Sequence, residues 1–194
     1  VEEMRTRLGA NPVPLQLPIG AEDQFKGVVD LIDGKVWIWS GHEEDAPEEG
    51  TLPADFELDV DAFRFALMER AAEQDEELTD KFLMEESLTP EEIGLGLRKG
   101  TISGNIVPVL VGSALKNTGV QLLMDAVYKY LPSPLDVPPL KVKRAKGDDY
   151  VELKPLSSEP LAMLAFKVAM DGSRKQVYFR IYSGELQEGA DLVE

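Results

Sequence analysis

The stretch Ile106–Pro134 constrains this chain most, because an apolar run, a short polar loop and an amphipathic segment follow one another without interruption. The run Val109-Leu110-Val111 is rich in β-branched residues and does not alternate, which predicts a strand covered on both faces. Val120, Leu123, Val127 and Leu131 then recur at helical spacing, so that face of a helix is expected to pack back on the strand. Leu131-Pro132-Ser133-Pro134 stops the helix, since proline cannot continue it and biases its predecessor towards extended geometry. In an α/β sheet such a strand–loop–helix step sets its loop at the carboxyl edge of the strand, where ligands usually bind.

The loop Gly112-Ser113-Ala114-Leu115-Lys116-Asn117 is suited to chemistry by its backbone. Small residues let a planar base approach peptide N–H groups, and an acceptor such as a guanine O6 can take those donors. A plain polar turn would look the same from six residues alone.

The wider context gives the loop more meaning. Gly112–Asn117, Gly119-Val120-Gln121 and Leu131-Pro132-Ser133-Pro134 together resemble the guanine-specificity loop and last helix of the GTPase domain in the elongation factor G family. Arg7-Leu8-Gly9-Ala10-Asn11-Pro12 and Pro14–Glu22 resemble the segment after that domain's Asn-Lys-x-Asp motif. The resemblance runs through most of the chain and is weakest between about Ser40 and Asp55. It implies an α/β fold: part of a P-loop GTPase-type sheet (1–22 and 106–138), an inserted α+β subdomain (23–105), a linker (139–158) and the first strands of a β-barrel (159–194). It also implies that Ser113, Ala114 and Leu115 form one wall of the guanine pocket, the first two through backbone N–H groups and Leu115 by packing.

Bulk properties narrow the alternatives. The 194 residues include no cysteine, which excludes a disulfide framework and thiolate metal sites and fits a reducing compartment. No apolar run approaches the roughly 18 residues of a membrane span, and no signal-peptide pattern opens the chain. Val1–Leu8 reads as a helix already under way and Leu192-Val193-Glu194 as an interrupted strand, so an excised fragment is expected. Of the net charge of −16, residues 41–100 carry −14, from 19 acidic and 5 basic side chains. Such a block repels nucleic-acid phosphates and attracts basic surfaces. It is not an RNA- or DNA-binding face.

Along the chain, Val13–Gly20 reads as a strand with prolines at its ends or on an edge. Phe25–Ile32 and Lys35–Ser40 flank Asp33-Gly34, a dipeptide that predicts a tight hairpin turn with positive φ at both central residues. Trp37 and Trp39 are expected to pack on that hairpin. His42–Leu52 reads as a loop, and its lone histidine, without a second ligand at metal spacing, predicts no metal site.

From Asp59 to Leu83 the pattern is one helix or two nearly collinear ones, with Val60, Phe63, Leu67, Ala71, Leu78 and Phe82 on the inner side. Glu69, Glu73, Glu76 and Asp80 form an outer stripe with no basic residue at its centre, and like charges so spaced repel. A lysine-rich partner docked on the stripe would offset that repulsion. The resemblance names one: the C-terminal domain of the ribosomal stalk protein, contacted through Glu69, Glu73 and Glu76, with ribosomal RNA met by other parts of the parent.

Thr89-Pro90-Glu91-Glu92 is a capping box with proline at the first helical position, and Gly100 a plausible stop. Gly94, Gly96 and Gly100 lie inside that helix with the wrong spacing for a phosphate loop. Lys141, Lys143, Arg144 and Lys146 read as linker charge. Leu161–Val168 and Gln176–Ser183 read as strands, and Arg180-Ile181-Tyr182-Ser183-Gly184 with Glu188-Gly189 resembles the opening of the barrel in translation factors. The turn Asp171-Gly172-Ser173-Arg174-Lys175 is shorter than the family's, leaving two subtypes, the main translocase or an elongation factor G-like paralogue.

No Gly-x-x-x-x-Gly-Lys-Ser/Thr is present, and neither are switch segments, so nothing in these residues cradles phosphates or magnesium. The resemblance therefore implies a cytoplasmic, ribosome-dependent GTPase that promotes translocation, with GTP or GDP and Mg2+ bound by the parent. No catalytic residue is expected in this chain, and no nucleotide is expected to bind it in isolation. Two other readings remain: an acidic interaction module that recruits a basic protein without nucleotide, and a release-factor or ribosome-protection GTPase of the same fold.

Overall fold

The computed structural model describes residues 1–40, 46–143 and 148–192. His42, Arg144, Lys146, Val193 and Glu194 lie outside the described residues. The chain is mixed α/β and forms two compact units, 1–131 and 132–194.

In the first unit, α1 (Glu2–Leu8) ends at Gly9 in the left-handed region. Strand β1 (Pro12–Pro14) pairs in parallel with β6 (Val107–Val109), Val13 lying opposite Pro108. The chain then enters an antiparallel sheet of β2 (Gln16–Ile19), β3 (Gly27–Asp30), β4 (Val36–Ile38) and β5 (Glu48–Gly50), in that spatial order. Pro18 sits in β2, an edge strand, where a missing N–H does least harm. Helices α2 (Glu57–Ala72), α3 (Glu76–Leu83), α4 (Pro90–Ile102) and α5 (Val120–Tyr130) complete the unit. One apolar cluster joins Val29 and Val36 of the sheet and Leu31 of the β3–β4 link to Val60 and Leu67 of α2, Ile93 and Leu97 of α4, and Ala126 and Tyr130 of α5. Fully burying a residue such as Ile93 or Leu97 stabilises the fold by roughly 1.5–3 kcal/mol.

Several expectations need correction. The β3–β4 connection is not a two-residue turn: only Gly34 has positive φ, and the link runs through Leu31, which is pulled into the core while its N–H donates to the Leu15 carbonyl at 2.9 Å. Asp30 and Asp33 instead shape the loop by accepting the N–H groups of Ile32 and Lys35 at 2.8 and 3.0 Å. Gly100 lies within α4, which continues to Ile102 before Gly104 turns the chain at φ 76°. Strand β6 is half-exposed rather than covered on both faces. In α5 the buried residues are Ala126 and Tyr130, while Leu123, Val127 and Leu131 are exposed. The physical reason is α4, which packs on α5 and whose Arg98 donates to the Lys129 carbonyl at 2.8 Å and the Leu131 carbonyl at 3.3 Å. Those last-turn carbonyls have no helical partner, so α4 fixes which side of α5 turns inward. Phe63 of α2, expected inside, is exposed as well.

The capping box of α4 is present as expected: Glu92 N–H donates to Thr89 Oγ1 at 3.3 Å, and Thr89 N–H donates to Glu92 Oε2 at 2.8 Å. Trp39 is buried at the end of the hairpin and its indole N–H donates to Gln121 Oε1 at 3.4 Å.

In the second unit the stretch read as a linker carries a hairpin, β7 (Leu140–Lys143) with β8 (Tyr150–Leu153), whose strands are bridged by Lys141–Glu152 at 3.4 Å. A longer hairpin follows, β9 (Ala162–Asp171) with β10 (Arg174–Ser183). Gly172 and Ser173 form its turn, and positive φ at the first central residue alone is the type that matches strand twist. Leu192 does not continue a strand.

Candidate functional site

The loop 112–119 follows the carboxyl end of β6 and leads into α5, as a ligand-binding turn of an α/β sheet should. Two glycines form its neck. A Cβ on Gly112 would stand 2.8 Å from the Thr118 carbonyl oxygen, and one on Gly119, whose φ is 79°, would stand 2.6 Å from that of Val111. Only glycine lets the two arms meet so closely. Above the neck Ser113 and Thr118 exchange backbone hydrogen bonds, Ser113 N–H to Thr118 O at 2.8 Å and Thr118 N–H to Ser113 O at 3.0 Å.

This geometry redistributes the expected donors. The Ser113 N–H is spent on Thr118, while its hydroxyl oxygen accepts the Lys116 N–H at 3.4 Å. Among the described residues, the Ala114 and Leu115 N–H groups donate to nothing, and the Leu115 side chain is 88% exposed. Asn117 takes φ 51°, which bends the tip back so that its N–H reaches the Ala114 carbonyl at 3.3 Å. The loop tip thus carries two amide donors without a partner among the described residues and one exposed aliphatic side chain.

The second predicted site spans two helices, one of the two arrangements that the sequence pattern allows. Glu69, Glu73 and Glu76 are all exposed, but they do not share one helix. Glu69 lies in the last turn of α2, Glu73 just beyond it, and Glu76 opens α3. The break is made by Asp75, whose extended backbone and side chain cap α3 by accepting the Leu78 N–H at 3.1 Å. Lys99 of α4 pairs with the same carboxylate, and with the Leu78 N–H it holds Asp75 below the usual carboxylate range. Arg70, which the sequence places off the centre of the stripe, reaches Glu73 at 3.0 Å. Lys81 turns away to Glu92 at 2.7 Å. Glu76 and Glu77 gain locally from the positive end of α3.

The structure also holds a cleft of about 520 Å³ that the sequence does not announce. Its wall includes Gln16, Asp30, Leu95, Leu110, Ala126 and Tyr130, from elements far apart in sequence, so no local pattern signals it. Burial, and then the carboxylates of Asp30 and Asp33, push the Tyr130 hydroxyl up to about 12, and burial likewise raises Asp30. Neither predicted residue set lines this cleft. Among the described residues no group of three or more His, Asp or Glu is placed to hold a metal ion, and no helix is long and apolar enough to cross a membrane.

No protein-family model matches the chain. It is 45% identical over 191 residues to elongation factor G of Thermotoga neapolitana, and equally to that of Thermotoga maritima, covering 98% of the chain in each case. The chain spans 28% of the length of these curated relatives. A crystal structure of a protein from Thermus thermophilus superposes on 97% of the chain and 26% of its own, with a TM-score of 0.72 and 27% identity.

Proposed function

We infer that this chain is a stretch of an elongation factor G-type translational GTPase, a protein that moves tRNA and mRNA through the ribosome during elongation. The observation that carries the reading is the 45% identity sustained over 98% of the chain, which includes the loop at the end of β6. In this reading 1–22 and 106–138 belong to the GTPase domain, 23–105 is an inserted subdomain, and 159–194 opens a β-barrel.

The loop contributes to base recognition. The Ala114 and Leu115 N–H groups donate to guanine O6, Ser113 holds the loop closed, and the exposed Leu115 side chain packs on the ring. An adenine offers an amino donor where guanine offers O6, so two outward N–H groups repel it and select the correct base. GTP or GDP with Mg2+ is the nucleotide of the whole protein. When bound, Mg2+ would neutralise phosphate charge, and no residue of this chain is assigned to it. The acidic face around Glu69, Glu73 and Glu76 meets the C-terminal domain of the ribosomal stalk protein, in the cytoplasm.

Calorimetry tests the reading in two steps. The 194-residue chain alone should show no GTP binding, and the longer protein that contains it should bind GTP and GDP but not ATP. Ala114→Pro, which deletes one donor, should weaken guanine nucleotides at least about tenfold in that longer protein. GTP binding to the isolated chain, or equal binding of ATP by the longer protein, would overturn the assignment.

A further inference from the structure

Gln16 is almost fully buried, with 3% of its surface exposed, and its side chain spans a gap that the strand topology creates. As far as Leu15 the chain runs beside β6, and the Leu15 N–H still donates to the Val109 carbonyl at 2.9 Å. At Gln16 the backbone departs to pair with Asp30 of β3. The segment after β6 thereby loses its neighbour just before the loop begins, and the Val111 N–H is left without a backbone acceptor. Gln16 Oε1 supplies one at 3.2 Å, across 95 residues of sequence. A buried amide that found no partner would be a costly defect at that point.

The position of this bond gives it a consequence beyond packing. Val111 immediately precedes the glycine neck, and its carbonyl oxygen is the atom that a Cβ on Gly119 would meet most closely. Gln16 therefore fixes the peptide from which both arms of the loop 112–119 spring. We propose that Gln16 is a positioning residue for the base-reading loop, its side-chain carbonyl standing in for the missing strand partner and setting where the Ala114 and Leu115 donors point. The proposal rests on the reading of that loop given above.

Amide hydrogen exchange on the 194-residue chain tests the bond, and nucleotide release from the longer protein tests its use. In the unaltered chain the Val111 amide should be protected to the same order as that of Leu15; rapid exchange at Val111 overturns the proposal without any variant. Gln16→Met, of similar length but lacking the carbonyl, should accelerate exchange about tenfold at Val111 and also at Ser113 and Thr118, leaving Val28 and Val29 unchanged. Acceleration at all amides together, or none at Val111, overturns the proposal. In the longer protein Gln16→Met should speed GDP release several-fold. If the exchange results hold and release does not change, the positioning of the loop stands and its assignment to guanine falls.

Discussion

Gly94 and Gly96 are close neighbours in α4, yet a methyl group would meet nothing within 4 Å at the first and the Ala71 carbonyl oxygen at 2.2 Å at the second. The clash at Gly96 is with backbone, which cannot swing aside, so α2 and α4 would have to separate. Gly94→Ala should stabilise the fold by about 0.5–1 kcal/mol by lowering the entropy of the unfolded chain. Gly96→Ala should destabilise it by about 1–3 kcal/mol through overpacking. Urea unfolding midpoints of the two variants should move in opposite directions, and movement in the same direction would refute the packing argument. The sequence separates none of this. It shows that these glycines have the wrong spacing for a phosphate loop, but which of them touches a neighbouring helix depends on Ala71, in a different element of the chain. For the same reason Ser113 can be placed on the loop from sequence, whereas the commitment of its N–H to Thr118 cannot.

Among the elements, those whose ends are written in local chemistry are legible and those whose faces depend on neighbours are not. Thr89-Pro90-Glu91-Glu92 declares the start of α4, and the alternation in β10 declares a strand. Periodicity points the wrong side of α5 inward because Leu123, Val127 and Leu131 are the more apolar set, while the small Ala126 and the anchoring Arg98 decide the packing. The contact between α3 and α4 also carries a pH dependence. Glu92 is held below the usual carboxylate range, first by the Lys81 ammonium and then by the Thr89 N–H, and Asp75 by Lys99 and the Leu78 N–H. Both groups bind protons less readily folded than unfolded. Their stabilisation is therefore complete above the unfolded carboxylate pKa, roughly 4, and is lost as pH falls through the lower folded values. The urea midpoint should hold from about pH 7 to about pH 5 and drop between about pH 5 and about pH 3. Glu92→Gln should lower it at neutral pH and reduce the drop, and a variant with an undiminished drop would remove Glu92 from the account.

At the scale of the whole molecule, the charge distribution and the succession of β6, loop and α5 are plain in the sequence, while the placement of the acidic residues is not. Periodicity alone draws Glu69, Glu73 and Glu76 as one stripe; the cap at Asp75 divides it between the end of α2 and the start of α3. Arg70 further complicates the face, because its bond to Glu73 neutralises part of the field that a basic partner would meet. Exposed pairs of this kind are worth about 0.2–1 kcal/mol each, so the three carboxylates together should govern roughly a tenfold change in affinity. Charge reversal of Glu69, Glu73 and Glu76 should weaken binding to the stalk domain by at least about that factor and flatten its salt dependence. Arg70→Gln should do the opposite, tightening binding about twofold at low salt by releasing Glu73. The paired experiment separates charge recognition from general damage, since a variant that merely unsettles α2 cannot tighten binding. Titrations at two ionic strengths decide it: unchanged affinity in the reversed variant would reduce the face to solvated surface.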